Sequence, residues 1–415
     1  MSLSNGWTGG QYSLFRAILG LYLAAHFANL VPWGAELFSS AGMIPDASAS
    51  PLARLFPNVL GWFDHPWLVT ALLVAGTAGS LLLAAGWRDR WAAVGVWYVW
   101  ACLLGRNPLI LNPGIPYIGW ILLAHACLPR APFLSWDARG RVDPGGGWRF
   151  PPSLFAAAWI VMAIGYTYSG VTKLTSPSWL DGSALARILD NPLARPGPMR
   201  ELFQGLPAPA LAAGTWAVLL LEIAYAPLAL LRRVRPWLWG TMLALHVSLI
   251  ALIDFADLSL GMVMLHLFTF DPAWIPRRAP DVVETLFYDG SCGLCHRAVR
   301  FLLAEDPQGA AFRFAPLGSD TFLAQVPEAE RARLPDSLVL LAADGRVLTR
   351  SGAVRHLMER LGGIWRGLAV ILRVVPPRVQ DATYDTIARI RHRLFARPKE
   401  ACPLLPPHLR ARFLA

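Results

Sequence analysis

Phe287-Tyr288-Asp289-Gly290-Ser291-Cys292-Gly293-Leu294-Cys295 is the stretch that decides how the C-terminal third of this chain folds. Val282–Tyr288 is rich in β-branched and aromatic residues and reads as a strand. Gly290 turns the chain, and Ser291 begins a helix that runs through about Leu303. Cys292 therefore stands at a helix N-terminus, where unpaired N–H groups and the helix dipole favour a thiolate. Cys295 follows one turn later, within reach to form or resolve a disulfide. Cys292 is the expected attacking thiolate and Cys295 the expected resolving thiol. Tyr288 and Asp289, which lead into the pair, are expected to contact substrate. The competing reading is half of a zinc site. Structural zinc needs two more ligands at matching spacing, and His296 and Cys402 form no second paired motif, so no metal is expected.

Outward from the motif, Ala311–Ala315 and Ser337–Leu341 read as further strands. Asp344-Gly345 is a hairpin signal leading into Val347–Leu348. Helices are expected over Gly352–Leu361 and Tyr384–Leu394. This succession is an α/β pattern. Pro276–Pro280 marks its start, dividing the chain into 1–278 and 279–415.

The first of these parts has a different character. Of the 415 residues, 55% are hydrophobic and only 15% charged, against roughly 25% charged in soluble domains. Trp, which favours the headgroup boundary, occurs 18 times against 9 Tyr. Eight apolar runs of near-spanning length are present: Ser13–Pro32, Trp67–Trp87, Trp91–Leu104, Leu109–Leu128, Leu154–Val171, Leu211–Leu231, Leu238–Ile253 and Leu258–Phe270. Arginines follow the even-numbered runs: Arg88 and Arg90, then Arg130, Arg139, Arg141 and Arg149, then Arg232, Arg233 and Arg235, then Arg277 and Arg278. Basic loops resist translocation, so both termini are expected in the cytoplasm of an integral membrane protein, with a bacterial inner membrane as the expected setting. The net charge of +10 is accounted for by these loops; no base-reading module accompanies it, and a nucleic-acid partner is not expected. Five cysteines are too few for a disulfide scaffold, and Cys102 and Cys127 read as packing residues.

Ionisable groups inside apolar runs are costly and often functional. Lys173 ends the fifth run beside Tyr168 and Ser169, where a desolvated amine is a candidate base and a snorkelling lysine the plainer alternative. Glu222 interrupts the sixth run and calls for a Lys, Arg or His partner on another helix. His246 and His266 are candidate hydrogen-bond partners for a quinone or metal ligands, with packing histidines as the alternative; His26 and His125 make a weaker case.

Two family resemblances sharpen these readings. Tyr288-Asp289-Gly290-Ser291-Cys292-Gly293-Leu294-Cys295, Phe314-Ala315-Pro316-Leu317, Arg350-Ser351-Gly352 and the ending Tyr384–Phe395 with Cys402 resemble the DCC family of thiol-disulfide oxidoreductases (DUF393). That resemblance implies a thioredoxin-like fold and dithiol redox activity. Thioredoxins place a cis-proline before the third strand; here Asp336-Ser337 stands there and Pro335 falls slightly early. Separately, Ser169-Gly170-Val171-Thr172-Lys173-Leu174 with Trp179-Leu180-Asp181-Gly182-Ser183-Ala184 resembles the HTTM domain shared with the vitamin K-dependent γ-carboxylase. It implies that Lys173 deprotonates a reduced quinone. The Asn-His pair of that family is not matched, since Asn112 is followed by Pro113.

The expected protein is therefore a bundle of about eight transmembrane helices, HTTM-like, carrying a C-terminal α/β thioredoxin-like domain. Its expected function is membrane-bound thiol-disulfide exchange, coupled to a bundle that binds a quinone or a lipophilic or peptide substrate. Membrane lipids and a thioredoxin-type reductant are the expected partners. The alternative is a scaffold or transporter-like bundle with the dithiol domain as its only catalytic part.

Overall fold

A computed structural model describes residues 5–52, 55–254, 256–279, 281–394 and 405–414. Cys402 lies outside them. The chain divides into two compact units.

The first unit comprises Phe15–Leu128 and Pro151–Phe270, and it is helical. All eight apolar runs form helices: α1 (Gly9–Leu30), α2 (Pro66–Ala85), α3 (Asp89–Arg106), α4 (Gly114–Ala126), α5 (Pro152–Lys173), α6 (Ala208–Ile223) with α7 (Tyr225–Leu230), α8 (Arg235–Leu252) and α9 (Ala256–Thr269). By length and composition three are able to cross a membrane: Gly9–Phe38, Pro66–Ala85 and Pro152–Lys173. A fourth is added if Pro198–Gln204 and Ala208–Ile223, bent at 108°, form one span. The others fall short of that standard. α4 and α9 have 13 and 14 residues, and α3 begins with Asp89-Arg90 and ends on Arg106.

The sixth run is not the single helix expected from Leu211–Leu231. It breaks at Ala224. Pro227 explains the break: it has no N–H to give the carbonyl four residues back, and its ring clashes with that carbonyl. Cys127 also departs from expectation, being exposed at the end of α4, whereas Cys102 is buried. Buried charges that the sequence reading passed over hold this unit together. Arg16 Nη1 lies 3.9 Å from Asp89, whose carboxylate is also 3.5 Å from His125 Nε2. Arg106 pairs with Asp64 at 2.8 Å. Isolated, each would be expensive in an apolar setting; paired, each neutralises its partner.

The second unit holds a four-stranded mixed sheet in the order β2-β1-β3-β4, made of β1 (Glu284–Tyr288), β2 (Phe312–Pro316), β3 (Val339–Leu341) and β4 (Val347–Thr349). β1 and β2 are parallel, joined through α10 (Gly293–Glu305); β3 and β4 pair as antiparallel strands, with Leu286 opposite Leu340 across β1–β3. The strand alternation builds two cores. Leu286, Tyr288, Phe312, Phe314 and Leu340 pack with Cys292, Cys295 and Val299 on one face. Phe287, Ala315 and Val339 pack with Phe322 and Val326 on the other. α11 (Arg350–Leu361), α12 (Gly363–Leu372) and α13 (Pro377–Leu394) complete the unit; α12 was not anticipated.

This unit reaches beyond 279–415. It begins at Asp271 and also takes in Asn5–Leu14 and Pro129–Phe150. Glu305, at the end of α10, is the reason the N-terminal stretch belongs here. Its carboxylate accepts from the Gly10 N–H (2.8 Å), the Trp365 indole N–H (2.6 Å) and the Thr8 hydroxyl. It thereby caps the open N–H groups of the first turn of α1.

Candidate functional site

The dithiol site is assembled by a turn. After β1, the Asp289 carboxylate accepts from the Ser291 N–H (2.8 Å) and hydroxyl (2.7 Å), which reverses the chain. Cys292 then takes the N-cap position of α10 in an extended conformation, and Cys295 lies one turn in. Both are free thiols, and both are buried, Cys292 fully. Burial pushes the Cys295 thiol up to about 12. Its hydrogen bond with Cys292 and the charge of Cys292 push the same way, while Arg391 opposes them. Cys295 thus keeps its proton across the neutral range and presents it to the neighbouring sulfur.

Tyr288 and Asp289 are both at the site. Tyr288 is buried in the same core and meets His296 edge to face at 5.8 Å. His296 Nε2 donates to the Gly290 carbonyl at 2.9 Å, which ties the helix to the turn before it. His296 therefore serves the turn; among the described residues no group of three or more His, Cys, Asp or Glu side chains is gathered to hold a metal.

Sequence reasoning missed the residues that face the dithiol from α13. Arg391, buried, donates to Asp336 Oδ1 at 2.7 Å and lies 3.8 Å from Asp289 Oδ2. Its charge acts on both sulfurs. The Tyr384 hydroxyl accepts from the Leu338 N–H at 3.1 Å and also lies within electrostatic range of Cys295. A signal was available: Tyr384 and Arg391 are seven residues apart, two turns, and so share a helix face.

The remaining candidates lie in the other unit. Lys173 Nζ donates to Glu222 Oε2 at 2.5 Å and to Ser169 Oγ at 2.7 Å, and it sits 4.9 Å from the Trp179 ring. Gly170 makes the approach of α5 to α6 feasible, because a Cβ there would fall 2.6 Å from Ile223 N and 2.9 Å from the Glu222 backbone. His246 and His266 meet at Tyr166. His266 Nδ1 lies 2.9 Å from the Met262 carbonyl, to which it must donate. Its Nε2 then accepts from the Tyr166 hydroxyl (3.3 Å), and the Tyr166 oxygen accepts from His246 Nε2 (2.8 Å). Among the described residues, His246 Nδ1 and the Tyr225 hydroxyl have no hydrogen-bond partner although both are buried. Tyr166 and Glu222, and His246 and Lys173, lie within electrostatic range of each other. The candidates thus sort into two groups, a dithiol cluster in one unit and a Lys–Glu–Tyr–His cluster in the other.

The sequence model described as DCC1-like thiol-disulfide oxidoreductase matches residues 286–397. Over 135 residues the chain is 37% identical to the uncharacterized protein YuxK of Bacillus subtilis, covering 93% of that protein and 32% of this chain. Over 124 residues it is 29% identical to a chloroplastic DCC family protein of Arabidopsis thaliana, covering 71% of that protein and 30% of this chain. No solved structure matches.

Proposed function

The chain belongs, through its C-terminal domain, to the DCC1-like thiol-disulfide oxidoreductases, and from that premise we propose a membrane-bound enzyme that exchanges disulfides through Cys292 and Cys295. Cys292 as thiolate attacks one sulfur of a substrate disulfide. That S–S bond breaks and its other sulfur leaves as a thiolate that takes a proton from water. Cys295 then loses its proton and attacks Cys292, releasing the second substrate thiol and leaving a Cys292–Cys295 disulfide. Two electrons have passed to the substrate, and a thioredoxin-type dithiol restores the pair. The observation that carries this is Cys292 at the N-cap of α10 with Cys295 one turn in, both free thiols in the core of the unit. The parallel βαβ unit followed by an antiparallel hairpin supports the thioredoxin-like assignment.

The eight apolar helices are read as eight crossings that leave both termini in the cytoplasm. Support comes from the make-up of the dithiol unit, which draws on Asn5–Leu14, Pro129–Phe150 and the chain from Asp271 onward. These stretches precede the first helix, follow the fourth and follow the last. Only an even number of crossings between them lets all three fold together on one side. The bundle is read as HTTM-like, with the Lys173–Glu222 pair and the Tyr166–His246–His266 chain as the contacts of a quinone. Lys173 is the base in this reading, with Glu222 as its hydrogen-bond partner. The placement of these residues and the dithiol in different units favours a second reading, in which the bundle anchors a dithiol domain that alone is catalytic.

Alkylation mass spectrometry on native membranes tests the dithiol reading. A Cys292–Cys295 disulfide that forms with oxidant and is reversed by thioredoxin, thioredoxin reductase and NADPH supports it. A pair that stays reduced under every oxidant, or that thioredoxin leaves oxidised, refutes it. Lipid extraction of the purified chain tests the bundle: quinone at near-stoichiometric yield supports the HTTM-like reading, and phospholipid alone favours the anchor.

A further inference from the structure

We infer that α12 and the turn after it, residues 363–379, lie flat on the anionic headgroup surface of the bilayer that the bundle crosses; the inference rests on the membrane reading above.

The helix has two faces. Trp365 and Ala369 are buried in the core of the dithiol unit, with Leu368 packed against it. The opposite side is apolar and open: Ile371 is 65% exposed, Val374 85% and Val379 53%. A soluble domain does not ordinarily leave such a run bare. The charges that the segment itself carries have one sign. Residues 363–379 include Arg366, Arg373 and Arg378 and no acidic residue. Arg366 donates to the Pro276 carbonyl (2.6 Å) and Arg373 to Glu359 (2.6 Å), yet the Arg373 side chain remains 56% exposed and Arg378 is open. An apolar stripe edged by arginines is the make-up of helices that sink partway into the headgroup layer of anionic membranes.

The charge of α12 and its links to stretches adjoining the apolar helices favour a lipid surface over a protein partner. The Ile364 N–H donates to Gln11 Oε1 at 2.8 Å, and the Gly363 N–H to the Ile275 carbonyl at 2.8 Å. Gln11 lies in the first turn of the Gly9–Phe38 helix, and Ile275 is a few residues beyond the end of α9. The start of α12 is thus pinned to the points where the chain enters its first apolar helix and leaves its last. At a rise of about 1.5 Å per residue, those points are within about a turn or two of the hydrocarbon boundary. An anionic lipid surface is the occupant that the apolar stripe and its arginine edge fit together.

The test uses the full chain in nanodiscs carrying a diazirine phospholipid, made either from phosphatidylcholine alone or with about a third phosphatidylglycerol. After illumination, lipid adducts are mapped by mass spectrometry. The expected result is adducts at Ile371 and Val374 at a yield comparable to Pro66–Ala85, several-fold lower without phosphatidylglycerol and several-fold lower in R378E. The largely exposed segment 320–331 of the same unit is the solvent reference. If Pro66–Ala85 is labelled while 363–379 is no more labelled than 320–331, the inference is overturned and the membrane reading stands. Equal labelling in both lipids overturns the anionic preference. An unlabelled Pro66–Ala85 overturns the membrane reading and this inference with it.

Discussion

Glu222→Gln is expected to destabilise the helical unit sharply, and Lys173→Met together with Glu222→Leu to restore most of the loss. Among the described residues Glu222 is the one carboxylate paired with Lys173, and its side chain is 8% exposed against 21% for the lysine. The neutral amide that replaces this carboxylate leaves an ammonium with Ser169 Oγ and the Trp179 face as its remaining company. Removing one partner of a buried pair costs about 3–5 kcal/mol, and the partial exposure of Lys173 places this case near 3. For a unit of this size that is a fall of about 6–12 °C in the midpoint of the helical transition. The double variant removes both charges and leaves apolar side chains among apolar neighbours, so a net change within about 1 kcal/mol is expected. The coupling between the two sites should then exceed about 2 kcal/mol. Thermal melts of the native chain, Glu222→Gln, the single variants Lys173→Met and Glu222→Leu, and the double variant in detergent, followed by far-ultraviolet circular dichroism, give all the terms. Loss in the double variant equal to the sum of the singles would refute the argument. Gly170→Ala should move in the same direction as Glu222→Gln, because its methyl must push α5 away from Glu222.

Arg391→Met should slow iodoacetamide alkylation of the reduced dithiol at neutral pH by roughly fivefold, corresponding to about 1 kcal/mol of lost charge interaction, with Arg391→Lys recovering most of it; an unchanged rate with Met would remove Arg391 from the site. The two buried carboxylates of the dithiol unit should respond to pH with opposite signs. Burial holds Glu305 above its ordinary 4.5 despite its hydrogen bonds, so the folded state favours the proton and stability is lost as pH rises from 4.5 through the raised value. Burial also pushes Glu284 up, but the hydrogen bond and charge of His356 and the charge of Arg360 outweigh it and hold Glu284 below 4.5. Its contribution is present above 4.5 and lost as pH falls. Urea melts between about pH 2 and 8 should show Glu305→Gln abolishing the slope above 4.5 and Glu284→Gln the slope below it. Glu305→Gln should in addition cost about 2 kcal/mol, because its amide faces the Trp365 N–H, which has no second acceptor in that geometry.

Much of this fold could be read from the sequence because its signals are local. The strand before Cys292, the helix after it and the hairpin at Asp344-Gly345 each depend on a few consecutive residues, and β1, α10 and β4 lie where those residues put them. Hydrophobic runs likewise announced every long helix of the first unit. Pro227 was a local signal too, and the break at Ala224 follows from it. What could not be read were pairings across the chain. Arg16 with Asp89, Arg391 with Asp336, and Glu305 with Thr8 and Gly10 join residues tens to hundreds of positions apart. Glu222 was an intermediate case: its interruption of an apolar run demanded a cation, and only the packing of α5 on α6 through Gly170 identified Lys173 as that cation.

The clasp on Glu305 has a temporal side. Thr8 and Gln11 leave the ribosome well before their partners Glu305 and Ile364, which lie 297 and 353 residues downstream. At about 5–20 residues per second, roughly a quarter of a minute to a minute separates the two ends of each bond. Through that interval the first turn of the chain has no cap and the helices after it must be threaded. Capping of the first helix therefore waits for the dithiol domain to be made, and a nascent chain stalled before Glu305 carries an uncapped helix turn that chaperones and proteases can tell from the finished one.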